Sequence, residues 1–171
     1  DVLTQMGDFY IEQGFWMEAI ESYQALLQRD PYSAEAPFIQ SRVAIAYEGA
    51  GDMASAAQAR ETIVDRYGPE SDWAMQSEDS TVFAQVDSLR ASALEHSIGY
   101  YANQILEVAG DPTVTGPMYT TLIDKIELYL TDYQNARQAY EFRFLLGDAY
   151  YNTGSFSRAG DVYMEVVYDS T

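Results

Sequence analysis

Three stretches of this chain share one spacing of residues, and that periodicity limits the fold more than any other feature. Met6-Gly7-Asp8-Phe9-Tyr10, Gly14, Ala19 and Tyr23 return as Leu146-Gly147-Asp148-Ala149-Tyr150, Gly154, Ala159 and Tyr163, with every internal spacing kept. Between them, Ala44, Tyr47, Gly51 and Ala56 stand 37 positions after Gly7, Tyr10, Gly14 and Ala19. A fixed period of this size marks a stack of small units, each of which buries its apolar face against the next. With 171 residues, 47% of them hydrophobic, the chain is long enough for about four such units around a continuous core.

Within each copy the apolar residues recur at helical spacing and a glycine interrupts them, which predicts pairs of helices. Leu3, Met6, Gly7 and Tyr10 place a first helix over residues 2–13. Ala19, Ile20, Tyr23, Leu26 and Leu27 place its partner from about Trp16 to Arg29, ended by Pro31. A second pair runs from about Ala34 to Ala50 and from Met53 to Tyr67, with Asp52 as the cap that accepts from open backbone amides. The last pair covers Arg137 to Asn152 and Ser155 to Tyr168, with Ser155 as cap. The period breaks in between: Tyr47 and Tyr150 are 103 positions apart, 29 more than two periods of 37. Gly68 to Asp72 reads as a loop, Trp73 to Ser80 is ambiguous, and Thr81 to Ala109 reads as one long helix. Gly110 to Pro117 is expected to be an exposed turn, with Pro117 starting the next helix, which runs to about Tyr133.

The framework small-x-x-Tyr-x-x-x-Gly-x-x-x-x-Ala resembles the tetratricopeptide repeat, a helix-turn-helix hairpin in which small residues let the two helices approach closely. The resemblance implies an all-α, right-handed superhelical solenoid of about four hairpins. Residues 1–33, 34–67, 68–135 and 136–171 are its expected units within a single solenoid, the third enlarged and divergent. The junction Pro31-Tyr32-Ser33-Ala34-Glu35-Ala36 resembles the Pro-x-Ser-x-x-Ala form of bacterial envelope repeats, including outer-membrane assembly lipoproteins and the periplasmic coordinator of the Tol-Pal system. A periplasmic, envelope or extracellular setting in bacteria is the localisation it implies. The chain opens at Asp1 without an initiator Met, as a processed protein, an excised fragment or a partly read chain would.

Charge narrows the partners. There are 27 acidic residues against eight Arg and the single Lys125, a formal charge of −18. Nucleic acid is excluded as an expected partner because phosphate neutralisation needs a basic surface, and anionic lipid is disfavoured for the same reason. No stretch is apolar enough to span a membrane. Cysteine is absent, so there are no disulfides, thiolate metal sites or cysteine nucleophiles. His96, the only histidine, reads as a surface or packing residue. Glu78, Asp79 and Asp111 are loop acids that could meet a hard cation, but the alternating ligands of a calcium loop are missing. With no phosphate loop, nucleophile elbow or His-Glu-x-x-His motif, neither an enzyme nor a metal or cofactor site is expected.

The expected function is therefore protein association. Among fifteen Tyr, seven Phe and two Trp, Tyr10, Tyr23, Tyr47, Tyr150 and Tyr163 fall on framework positions and belong to the core. Projected onto the family's concave face, Ile11, Phe38, Ile45, Phe144 and Tyr151 form a groove with apolar patches. Thr4, Asp8, Ser41, Glu48 and Asp148 frame it. The carboxylate clamp of the family needs Lys, Arg and Asn at these positions, so a groove ligand should be apolar or basic.

The terminal helices complete the expectation. The last one spreads Phe156, Ala159, Val162, Tyr163, Met164, Val166, Val167 and Tyr168 over roughly 240° of its circumference, leaving Arg158, Asp161, Glu165 and Asp169 as a polar strip. The first offers Val2, Leu3 and Met6. Leu3, Met6, Val162, Val166 and Val167 are thus candidate end-interface residues, to be covered by further repeats or by another subunit. Contact between copies would be heterologous and yield a ring, filament or tube. The alternative is a monomeric, peptide-binding adaptor of the bacterial envelope, and an accessory segment of a larger enzyme is a third reading.

Overall fold

The structure is a computed structural model that describes residues 2–77, 80–108 and 112–168. Its helices are α1 (Val2–Gln13), α2 (Trp16–Arg29), α3 (Ala36–Gly49), α4 (Met53–Arg66), α5 (Asp72–Gln76), α6 (Phe83–Glu107), α7 (Pro112–Asp132), α8 (Ala139–Asn152) and α9 (Phe156–Tyr168). One 3-10 turn, Ser80–Val82, precedes α6, and no strand occurs among the described residues. Two compact units divide within α6: Asp1–His96 and Ser97–Thr171. In the first, α1 packs on α2, α2 on α3 and α3 on α4. In the second, α7 packs on α8 and α8 on α9.

The framework residues act where the periodicity puts them. Gly14, Gly51 and Gly154 have φ of 74°, 79° and 77°, the left-handed region that a side chain makes costly. Each ends its helix with the same pair of hydrogen bonds. Gly14 N–H donates to the Ile11 carbonyl at 3.1 Å and Phe15 N–H to the Tyr10 carbonyl at 2.8 Å, and both bonds recur at Gly51–Asp52 and Gly154–Ser155. Ala19, Ala56 and Ala159 are buried where paired helices meet. The Asp52 carboxylate caps α4 by accepting from the Ser55 amide at 3.0 Å, and that bond holds its pKa below the ordinary value.

Gly7 and Gly147 have a further role. A Cβ at either position would sit 2.4 Å from the ring of Tyr23 or Tyr163, so the tyrosine lies directly on glycine backbone. The ring then reaches the next residue: the Tyr23 hydroxyl donates to Asp8 at 2.6 Å, and the Tyr163 hydroxyl donates to Asp148. Gly-Asp and a tyrosine fifteen positions after the acid thus form one lock, present in both units.

The middle of the chain departs from the sequence-based expectation in three places. The ambiguous stretch after Trp73 contains α5, nucleated by Ser71, whose hydroxyl accepts from the Ala74 amide at 3.2 Å. The long helix is α6, Phe83–Glu107, slightly shorter than the expected Thr81–Ala109 because the 3-10 turn takes up Thr81 and Val82. Pro117 does not start α7; it lies inside it, and the helix begins at Pro112, where a missing N–H leaves no helical bond unmade. Burial of Leu122, Ile126 and Tyr129 at helical spacing outweighs the bond lost at Pro117. Glu78, Asp79, Gly110, Asp111 and Asp169 lie outside the described residues.

Candidate functional site

The groove positions fall into two groups. In the first unit Ile11 and Phe38 are half-buried, Ile11 packing against the Ala19–Tyr23 core, whereas Ile45 is exposed. In the second, Phe144 and Tyr151 on α8 are exposed, yet each leans on its own hairpin: Phe144 lies 5.8 Å from the Tyr163 ring and Tyr151 5.3 Å from Phe156. The free apolar surface at these positions is therefore Ile45 and the outer faces of Phe144 and Tyr151.

The frame around the first group is charge-compensated. Asp8 accepts from Tyr23 and also faces the Arg42 guanidinium at 3.2 Å, while Glu48 pairs with Arg60 at 2.7 Å. Sequence reasoning missed both arginines. A signal was there, since Arg60 stands one period of 37 after Tyr23 and replaces the tyrosine that locks the first and last copies. In the second unit the acids take tyrosine partners: Asp148 accepts from Tyr163, and Glu127 from Tyr150, whose ring also carries the Arg158 guanidinium 5.5 Å from its centre. These locks favour the protonated phenols. The Asp148 bond, with burial second, pushes Tyr163 up to about 12. Burial first, then Asp8, pushes Tyr23 up further, and burial with Glu127 raises Tyr150.

The end helices each divide into an inner and an outer face. On α1, Gly7 faces inward beneath Tyr23 and Leu3 packs half-buried on the core, while Val2, Met6 and Phe9 are exposed at positions i, i+4 and i+7. On α9, Ala159 and Val166 face inward, Val162 and Tyr163 are half-buried, and Phe156, Met164, Val167 and Tyr168 are exposed. Val166 must be corrected: at 6% exposure it belongs to the core of its own unit and offers nothing to a neighbour, in contrast to Val167 at 59%. Helical projection found a wide apolar arc but could not say which part the hairpin would cover. Phe9 was missed altogether, although it follows Val2 and Met6 at helical spacing.

Other candidates resolve simply. His96 is exposed, its Nδ1–H donating to the Ser92 carbonyl at 2.8 Å one turn back. Among the described residues no group of three or more His, Asp or Glu side chains could hold a metal ion, and no helix is long and apolar enough to cross a membrane.

The hairpins, their Gly-Asp…Tyr locks and their left-handed glycine turns define a class of helical repeat protein. The tetratricopeptide repeat family model matches residues 4–71, less than half of the chain, a segment that takes in most of α1 and all of α2 to α4. Repeats of this family typically form scaffolds for protein interaction, and the match supports that general role for this chain. No curated protein matches it. Among solved structures, a crystal structure of MamA protein is 18% identical over 98% of this chain and 89% of that one, with a TM-score of 0.39.

Proposed function

We propose that this chain is a structural subunit that associates with further copies of itself through the outer faces of α1 and α9. The observation that carries the reading is the pair of apolar stripes left on these helices, Val2, Met6 and Phe9 on one and Phe156, Met164, Val167 and Tyr168 on the other. Both helices already have their inner faces packed, and Val2, Met6 and Val167 stand exposed outside that packing. Contiguous exposed apolar surface of this kind marks interaction sites. Joining different surfaces head to tail gives a heterologous contact, which grows into a filament unless it closes into a ring.

Charge shapes the conditions. At a formal −18, copies repel one another, and screening over a Debye length of about 10 Å at 0.1 M salt relieves that repulsion. Sedimentation velocity over a range of concentration and salt tests the reading. Mass should grow with both, and a constant monomer mass would leave the monomeric adaptor of the bacterial envelope as the better account. Exposed Ile45, Phe144 and Tyr151 favour that second reading, since they offer footholds for an apolar peptide.

A further inference from the structure

The segment that breaks the period gathers three rings around a space. Trp73 on α5 is buried and tied to the junction before α3, its indole N–H donating to the Ser33 carbonyl at 2.8 Å. Tyr67 and Phe83 meet its ring edge-on, with centroids 5.8 and 5.6 Å away. Between the end of α4 and the start of α6 these rings border a half-open cavity of about 380 Å³, with Pro69, Ala84 and Val86 also in its wall. All of it lies within the first unit. The volume is at the lower end of the range for small-molecule sites.

The wall of this cavity carries no net charge. Among the described residues its charged side chains are Asp87 and Arg90, which form an ion pair at 3.7 Å. Arg90 is nearly buried and has interactions beyond this one, so its charge is taken up within the chain. Burial raises the pKa of Tyr67, which keeps that phenol neutral, and the Trp73 N–H is already engaged by Ser33. Water in such a space finds few polar partners, and an apolar ring that displaces it gains affinity. A charged ligand would give up hydration there with no free counter-charge to meet it.

We propose that this cavity binds a small, neutral aromatic molecule of one or two rings, set against Phe83 beside Trp73. Ring pairs in edge-on or offset contact gain more than the area they bury, which favours an aromatic ligand over an aliphatic one of equal size. The internally compensated Asp87–Arg90 pair favours a neutral ligand over an anion or a cation. Binding here is independent of association through the end helices.

Titration of the full chain with indole, indole-3-acetate and tryptamine at physiological salt, read by calorimetry, tests it. Saturable binding of indole is expected, about tenfold or more tighter than of either charged analogue. In isotope-labelled protein the Trp73 side-chain N–H resonance should shift with indole, while that of Trp16, which packs over Gly49, should not. Ala84→Phe at the exposed rim keeps the fold, fills the space and should abolish binding. No saturation, equal affinity for a charged analogue, a shift of Trp16 without Trp73, or full binding by Ala84→Phe would overturn the proposal. So would saturation by a peptide with an internal Trp and none by indole.

Discussion

At the scale of single residues, the lock formed by Gly-Asp and a later tyrosine joins the paired helices of the first and last hairpins. Replacing Gly147 with Ala sets a methyl carbon 2.4 Å from the Tyr163 ring, and a ring cannot bend aside as a flexible chain end would. Gly147→Ala and Gly7→Ala should each cost about 1 to 3 kcal/mol, the range for overpacking, measured by urea unfolding. Gly160→Ala, with open space around it, is the control. The lock also has a pH signature. Tyr163 holds its proton up to about 12 when folded against an ordinary value of 10.0, so between these values the folded state binds more protons. Its contribution is complete below pH 10 and is lost as pH rises through the folded value. The stability difference between wild type and Tyr163→Phe should therefore be constant from neutral pH to 9 and shrink above 10. A difference that grows with pH would contradict the lock. The glycines and tyrosines were legible because they repeat; the hydrogen bond to Asp8 or Asp148 was not, although the acid repeats too, because exposed acids are common in this chain and a single one carries no signal.

Among the elements, the hairpins were legible and the linking segment was not. Helix ends in the three repeats follow from one residue each, a glycine whose positive φ is costly for most other residues. Gly51→Ala should cost about 1 to 2 kcal/mol and Gly51→Asn less, since asparagine tolerates the left-handed region. Equal unfolding midpoints for both variants and wild type would mean that the turn is not under that constraint. In α7, by contrast, Pro117 reads as a helix start by local rules and lies inside a helix by tertiary packing. Leu122, Ile126 and Tyr129 decide the matter, and the local sequence around Pro117 gives no hint of their strength. Trp73 is similar: its value comes from Ser33, forty positions earlier, and from Tyr67 and Phe83, none of which a local pattern links to it.

For the whole molecule, the terminal helices and the net charge act against each other. Apolar stripes on α1 and α9 favour association, and a formal charge of −18 opposes it. Binding to DNA should be undetectable at physiological salt by fluorescence anisotropy, whereas tight, salt-sensitive binding would overturn this reading of the surface. The stripes were partly legible. Helical projection showed apolar residues on α9, but only the packed hairpin separates Val166 inside from Val167 outside. The central claim, a head-to-tail contact, is tested most directly by mixing two variants and measuring mass by sedimentation velocity. Met6→Glu spoils the α1 face and Val167→Glu the α9 face, because an unpaired charge in a desolvated contact costs several kcal/mol. Each variant alone should remain monomeric under conditions where wild type assembles, and their mixture should form a one-to-one dimer through the faces left intact. Wild type that stays monomeric throughout, or variants that assemble as wild type does, would contradict the account.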